Sequence, residues 1–486
     1  MLKARAISSV YWSGADIFLR QGIQFVVSVV LARLLTPDDF GTVALLYLFS
    51  GIANAFVDSG FSTALIQRQD ISAVDESTVF WFNLSMGLLV ALALWSFAPI
   101  ISHFYSLPIL IPLTAVMALN VLLSAAGSIH STLLIKHLDF RTQTKVTAVA
   151  NSLAGGTAIV MGLEGLGVWA LAAQILLATG LSTVMLWTFN RWRPTLVFSR
   201  DSARRLFGFG GYLLGSALLE ITYTRAYTLL IGKWYGVGEL GFYSRADSAV
   251  QLPVGSLSGL LARVAFPLFS SAAANKEQLR RGVEVAVRGI MLINIPMMVG
   301  MAAVARPMVM ALFGDRWLPA VPILRILAMA WVFWPLQVIN LNVLIAQGHS
   351  HLFFRLEALK KVIGVCLLLL GTVYGVLGIA WSQVAYGLVG FAINAHYTEK
   401  YLEYGVRQQA RDVMPTLAIA SFMGLAIYAF DAQIQLGSAL QLPTLVLIGM
   451  AVFIGLGSLF QLTALQDSIA LFRQHRASKH QMKRIL

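Results

Sequence analysis

Apolar stretches of roughly 20 residues, separated by short polar joints, recur from one end of this chain to the other, and each is long enough to cross a bilayer as a helix. Backbone N–H and C=O groups in hydrocarbon must be paired within the segment, so these stretches are expected to be α-helical. Helices are predicted near 9–32, 41–65, 78–102, 108–129, 143–163, 166–190, 207–232, 240–269, 285–305, 320–347, 357–376, 378–398, 413–430 and 442–464. The fold class expected is therefore an all-α polytopic membrane protein with about 14 spans. A 58% apolar share against 12% charged residues exceeds what a soluble core and its wetted surface require.

The net charge of +13 does not point to nucleic acid, because the basic residues fall in the joints. Lys3, Arg5, Arg68, Lys136, Arg141, the Arg191–Arg205 group, Lys276, Arg280, Arg281, Lys360, Lys361, Lys400, Arg407, Arg411 and the Arg473–Arg484 tail map to one side. The other side has Arg33, Lys233, Arg306 and Arg316, an asymmetry that places both termini in the cytoplasm. Lys3 and Arg5 precede a long first segment without a cleavage pattern, so that helix is expected to stay. Cys366 is the single cysteine and lies in an apolar run, which excludes a disulfide framework within the chain. His130, His137, His349 and His351 are assigned to cytoplasmic joints as solvated or interfacial residues, and no metal centre is expected. No phosphate-cradling glycine loop appears in the cytoplasmic joints, so direct ATP drive would require a partner, and no cofactor is expected.

The predicted outer joints are short, so the machinery must lie between helices. The inner joint Arg191–Arg205 carries five arginines and divides six helices from the next six. A weak repeat supports that division: Leu31–Gly41 (LARLLTPDDFG) resembles Ile231–Gly241 (IGKWYGVGELG) at an offset of 200 residues, with Arg33 over Lys233 and Gly41 over Gly241. Six intervening spans give two halves of like orientation, as in transporters built from parallel repeats. The expected domains are 1–200, 201–404, and 405–486, the last comprising two added helices and a basic tail.

Charges deep in a span are expensive and usually face a cavity. Arg20 lies about 11 residues inside its helix, roughly 16 Å from the inner end, too deep to reach water easily. Ser9, Ser13, Asp16, Arg20, Gln24 and Ser28 recur every three or four residues and form one stripe, expected to face the bundle interior. An Asp16–Arg20 pair joining two helices would account for part of this stripe; the lining of a hydrated passage accounts for all of it. Tyr212, Ser216, Glu220, Tyr223 and Tyr227 repeat the theme in the seventh predicted helix. Arg225 follows on a different face from Glu220. Asp58 lies toward the cytoplasmic end of the second predicted helix, and Asp247 could join Ser244 and Gln251 on a polar edge; for both, a structural role serves equally well. Arg245, Arg263 and Arg325 lie near helix ends, where interfacial anchoring also fits. Pro253, Pro296 and Pro335 are expected to kink their spans, and Gly371–Gly375 fits a weak GxxxG dimerisation pattern. Arginine supplies a permanent charge for phosphate oxygens, and a membrane carboxylate can load and release a proton or sodium ion.

Leu31-Ala-Arg33, Phe40-Gly41, Asp58-Ser-Gly60 with Leu65-Ile-Gln-Arg68, Ala265-Phe-Pro-Leu-Phe269 and Leu312-Phe-Gly-Asp-Arg-Trp317 occur in the order found in one family. Through them the chain resembles the polysaccharide transporters of the multidrug/oligosaccharidyl-lipid/polysaccharide (MOP) exporter superfamily, and among these the Wzx-type flippases of the colanic-acid-exporter kind. The resemblance implies two six-helix lobes around a V-shaped cavity, two further C-terminal helices, and a bacterial cytoplasmic-membrane location. It also implies alternating exposure of an undecaprenyl-pyrophosphate-linked oligosaccharide, coupled to H+, Na+ or membrane potential, beside a polymerase and a chain-length regulator.

The substrate-binding residues then expected are Arg20, Arg225, Arg245, Gln24 and Tyr223; the ion-coupling residues are Asp16, Asp58, Glu220 and Asp247. A cation-coupled multidrug exporter of the same fold is the competing transporter, although buried arginines argue against it. A membrane polymerase or ligase would be expected to carry a substantial outer loop, and none is evident. A scaffold role would rest on the basic tail alone, which more simply meets anionic headgroups.

Overall fold

The computed structural model describes residues 2–58, 61–67, 71–273, 275–433, 437–463 and 465–466. Side chains are described over these ranges except at 2–11, 13–18, 205–213, 216, 256, 258–267, 350, 438 and 439. The side chains of Asp16, Tyr212, Ser216 and Arg263, and the tail Arg473–Arg484, thus lie outside the described residues. Among the described residues every regular element is helical, and the contacts group them into two compact units, Met1–Ser244 and Arg245–Leu486.

The first unit contains α1 (Leu2–Leu34), α2 (Pro37–Asp58), α3 (Phe61–Gln67), α4 (Ala73–Tyr105), α5 (Leu110–Lys136), α6 (Phe140–Leu163), α7 (Val168–Phe189), α8 (Arg200–Thr224) and α9 (Ala226–Trp234). Local chemistry sets several ends. Ser72 and Asp75 form a reciprocal capping box that starts α4, and Ser106, at φ 57°, turns the chain out of it. Small residues let backbones approach, as expected where lipid supplies no hydrophobic drive between helices. Gly155 and Gly162 of α6 receive Val27, Leu31 and Leu34 of α1, while Gly87 of α4 faces Ala125 of α5. The helices α8 and α9 pack on α2. For that reason the compact unit runs past the arginine-rich joint to Ser244.

The second unit takes up α10 (Val237–Ala272) from Arg245 onward. It continues with α11 (Lys276–Ala303), α12 (Ala305–Leu312), α13 (Ala320–Trp331), α14 (Trp334–Ala346), α15 (Ser350–Thr372), α16 (Gly375–Leu402), α17 (Val406–Gln433) and α18 (Ser438–Leu459). Its core gathers Val283, Val287, Met291 and Ile295 of α11 with Ile339 and Val343 of α14, Ala395 of α16 and Ala420 of α17. A polar seam runs through this core. Asn340 and Gln409, both fully buried, exchange side-chain amide hydrogen bonds of 3.0 and 2.8 Å, and Gln409 also donates to the Tyr404 carbonyl at 3.1 Å. Each amide group therefore has a partner, which is the condition for keeping it in a dry core.

Ten helices among the described residues are long and apolar enough to cross a membrane. This is a multi-pass membrane protein. Several predicted spans are broken in the structure: 207–232 divides at Arg225, 285–305 ends at Val304, and 320–347 divides near Val332–Phe333. Two assignments are corrected. His130 is fully buried within α5, its ring 4.8 Å from that of Trp187 and 5.3 Å from that of Trp192, instead of lying in a joint. Lys360 and Lys361 lie inside α15, which begins at Ser350 and not near 357.

Candidate functional site

The helix α1 carries the first candidate feature. Val27 and Leu31 are buried against α6. Arg20 and Gln24 stand seven residues earlier, two helical turns, and so continue the same face of the helix. There the face is uncovered, and both residues are exposed. Leu19, Phe25 and Val26 are exposed too, roughly 120° around the helix from Arg20 and Gln24. The segment thus splits into an apolar side suited to lipid and a polar side that needs water or an ionic ligand.

The break at Arg225 is the second feature. Helix α8 stops at Thr224, whose hydroxyl donates to the Glu220 carbonyl at 2.8 Å, and α9 starts at Ala226. Interrupted helices at membrane depth occur where the freed backbone is buried in protein or lines a cavity. Glu220 and Arg225 are exposed, and Tyr223 is half-buried. The methyl of Ile221 lies 3.5 Å from the Cβ position of Gly51, which fixes this stretch of α8 against α2. Asp58, half-buried, is the last residue of α2.

Arg245 and Asp247 fall in the other unit and have different surroundings. The Arg245 guanidinium lies 5.3 Å from the Phe313 ring centroid and 5.7 Å from that of Trp317. Gly314, at φ 92°, makes the turn that brings both rings to the arginine, which gives Leu312–Trp317 a physical reason for its pattern. Asp247 is buried and accepts a 2.6 Å hydrogen bond from the Gln251 amide one turn on.

Two charged groups were missed by reading depth from predicted helix ends. Lys360 is 2% exposed, paired with Glu357, and ten residues from the start of α15, roughly 15 Å along it. The i, i+3 spacing was visible, but the misplaced helix start hid its depth. The other is a network joining α11 to α17, in which Arg280 Nε lies 2.9 Å from Glu284 and Arg288 Nε 3.9 Å from Asp412. Tyr404, in the joint before α17, donates to Asp412 at 2.8 Å. Burial, and then the neighbouring Asp412 charge, push the Tyr404 phenol well above its ordinary range. Nearby, the Lys276 ammonium donates to Glu403 at 2.6 Å and holds that exposed carboxyl below its ordinary range.

Among the described residues no group of histidine, cysteine and carboxylate side chains could hold a metal. The chemistry offered is electrostatic: exposed arginines on α1 and at the α8–α9 break, with carboxylates on α2 and α8.

Residues 30–322 match the family model described as polysaccharide biosynthesis protein. The chain is 28% identical over 426 residues to the teichuronic acid biosynthesis protein TuaB of Bacillus subtilis (strain 168), covering 87% of this chain and 88% of that one. It is 25% identical to the lipopolysaccharide biosynthesis protein WzxC of Escherichia coli (strain K12), with 76% of each covered. Among solved structures, the lipid II flippase MurJ in an inward closed conformation aligns with a TM-score of 0.74 at 14% identity, over 93% of this chain and 98% of that one. An inward-facing MATE-family multidrug transporter of the MOP superfamily aligns at 0.59 and 17% identity, over 80% and 99%. With a family model matching more than half its length, the chain belongs to the polysaccharide biosynthesis protein family, and it shares its helical fold with the MurJ flippase and with transporters of the MOP superfamily.

Proposed function

We propose that this protein is a flippase that moves polyprenyl-pyrophosphate-linked oligosaccharide repeat units across the bacterial cytoplasmic membrane for exopolysaccharide or O-antigen synthesis. The observation that carries the reading is the uncovered polar face of α1, where Arg20 and Gln24 continue a stripe that is buried two turns later. A fixed guanidinium on such a face suits the paired oxygens of a diphosphate. The relatives' names support the reading, since they include a succinoglycan biosynthesis transport protein and a probable low-salt glycan biosynthesis flippase.

In this proposal Arg20 and Arg225 attract the pyrophosphate, Gln24 and Tyr223 line the sugar path, and Arg245, oriented by its aromatic clamp, is a further substrate-binding cation. Asp16, Asp58, Glu220 and Asp247 balance charge or carry the coupling ion, H+ or Na+, with membrane potential as a further drive. The operating parts are lobes 1–200 and 201–404 with the added helices of 405–486, both termini lie in the cytoplasm, and a polymerase and chain-length regulator take the product onward.

The test is reconstitution. Purified protein in liposomes is expected to transfer a fluorescent lipid-pyrophosphate oligosaccharide between leaflets without ATP and faster under an imposed ion gradient or potential. Strict nucleotide dependence, or transport of cationic drugs with no lipid-linked sugar flipping, overturns the reading.

A further inference from the structure

The joint between α7 and α8 is not an open linker. Trp81 Nε1 of α4 donates to the Thr195 carbonyl at 2.8 Å, and the Thr195 amide donates to the Ser77 hydroxyl at 3.1 Å. The Ser199 amide donates to the Thr78 hydroxyl at 3.1 Å. At the other end, Arg193 donates to the carbonyls of Trp187, Asn190 and Trp192 at 2.7–2.8 Å, which satisfies the carbonyl end of α7 and opposes its dipole. Trp192 packs its ring 5.9 Å from that of Phe80. The segment is therefore a strap fastened at both ends to α4 and α7.

What the strap holds outward is apolar: Leu196 is 90% exposed, Val197 45% and Phe198 52%. Anchoring three apolar side chains away from the fold is unfavourable unless something covers them. Arg191, Arg200 and Arg204, close to them in sequence, are exposed, against one carboxylate, Asp201, within residues 191–204. Val184 and Phe189, toward the end of α7 from which the strap departs, are exposed apolar residues as well, and α7 is long and apolar enough to cross a membrane. A tip of three residues is far smaller than a stable protein interface. It matches the pattern of an interfacial anchor: an apolar body at the acyl boundary with cations at headgroup level.

We propose that the strap 191–199 is a lipid-binding element, with Leu196, Val197 and Phe198 inserted at the acyl boundary and Arg191, Arg200 and Arg204 facing the phosphates of anionic phospholipids. The strap thereby fixes the depth of α4 and α7 in the leaflet. This inference concerns the surrounding bilayer and does not depend on the transported substrate.

The experiment uses the full-length chain in a Cys366→Ala background, with a nitroxide on Cys introduced singly at Leu196, Val197 or Phe198. Reconstitution is in phosphatidylcholine vesicles with and without phosphatidylglycerol. The labels are expected to be reached by oxygen and shielded from a water-soluble nickel chelate, more strongly with phosphatidylglycerol present. In parallel, the melting-temperature gain that phosphatidylglycerol gives the unmodified protein is expected to be largely lost in Leu196→Asp and in Arg200→Gln/Arg204→Gln. Labels open to the nickel chelate in both lipids would make the strap an aqueous loop, available to a soluble protein, and overturn the proposal. An unchanged phosphatidylglycerol gain in both variants would overturn it as well. If Leu196→Asp does not fold, the label measurements decide alone.

Discussion

Gly41 and Gly241 stand back to back in a reciprocal contact between the first turns of α2 and α10. A Cβ on Gly41 would lie 1.7 Å from the Val237 carbonyl oxygen, and one on Gly241 would lie 1.9 Å from that of Pro37. The two glycines are 200 residues apart in the repeated strings, and their contact partners, Val237 and Pro37, are also 200 apart. The two repeated strings thus meet each other reciprocally. Asp38 places its carboxylate beside Gly238 in the first turn of α10, where a negative charge is favoured by the helix dipole.

Gly41→Ala and Gly241→Ala are each expected to destabilise the protein by about 1–3 kcal/mol, because the added methyl meets backbone and the helix ends must part. Gly156→Ala is the control: nothing lies within 4 Å of its Cβ position, so a gain of about 0.5–1 kcal/mol is expected. Thermal melting of the purified proteins checks both, and an unchanged melting point for Gly41→Ala would mean the contact is not kept in solution.

Arg20→Ala is expected to reduce polymer export at least about tenfold while membrane abundance stays normal, since an exposed side chain contributes within about 0.5 kcal/mol to stability. Immunoblotting alongside an export assay separates the two effects. Normal export at normal abundance removes Arg20 from the mechanism.

Glu357→Gln leaves the Lys360 ammonium buried without its partner and is expected to cost about 3 kcal/mol. Glu357→Gln with Lys360→Met removes both charges and is expected to recover most of that loss. A double-mutant cycle by thermal melting measures the coupling; additive effects would show that the pair does not form.

Tyr404 gives a pH dependence with a defined sign. Its phenol is held in the protonated form above its ordinary range by burial and by Asp412, so its contribution is complete below about pH 10 and is lost as pH rises past the unfolded value. Tyr404→Phe is expected to flatten the stability profile on the alkaline side. Glu403 acts in the opposite sense: Lys276 lowers its range, so its small contribution is present above the ordinary glutamate range and fades as pH falls through the lowered one. Stability profiles of Tyr404→Phe and Glu403→Gln, each measured against the unmodified chain, test the two signs.

Residue order alone was enough for the helical, polytopic class, because hydrocarbon permits few backbone solutions and apolar length reports them directly. It also exposed the polar stripe of α1 and the repeated strings, since both are short-range periodicities. Tertiary structure decided what those patterns touch. Val27 and Leu31 are buried where they meet Gly155 and Gly162 of α6, whereas Arg20 and Gln24 on the same face are exposed, and that difference comes from packing between helices distant in sequence. His130 and Lys360 were misplaced because a polar residue near an estimated helix end looks solvated, whereas its surroundings come from helices distant in sequence, as Trp187 does for His130. The clamp on Arg245 and the fastening of residues 191–199 are likewise long-range contacts, which spacing along one segment does not encode.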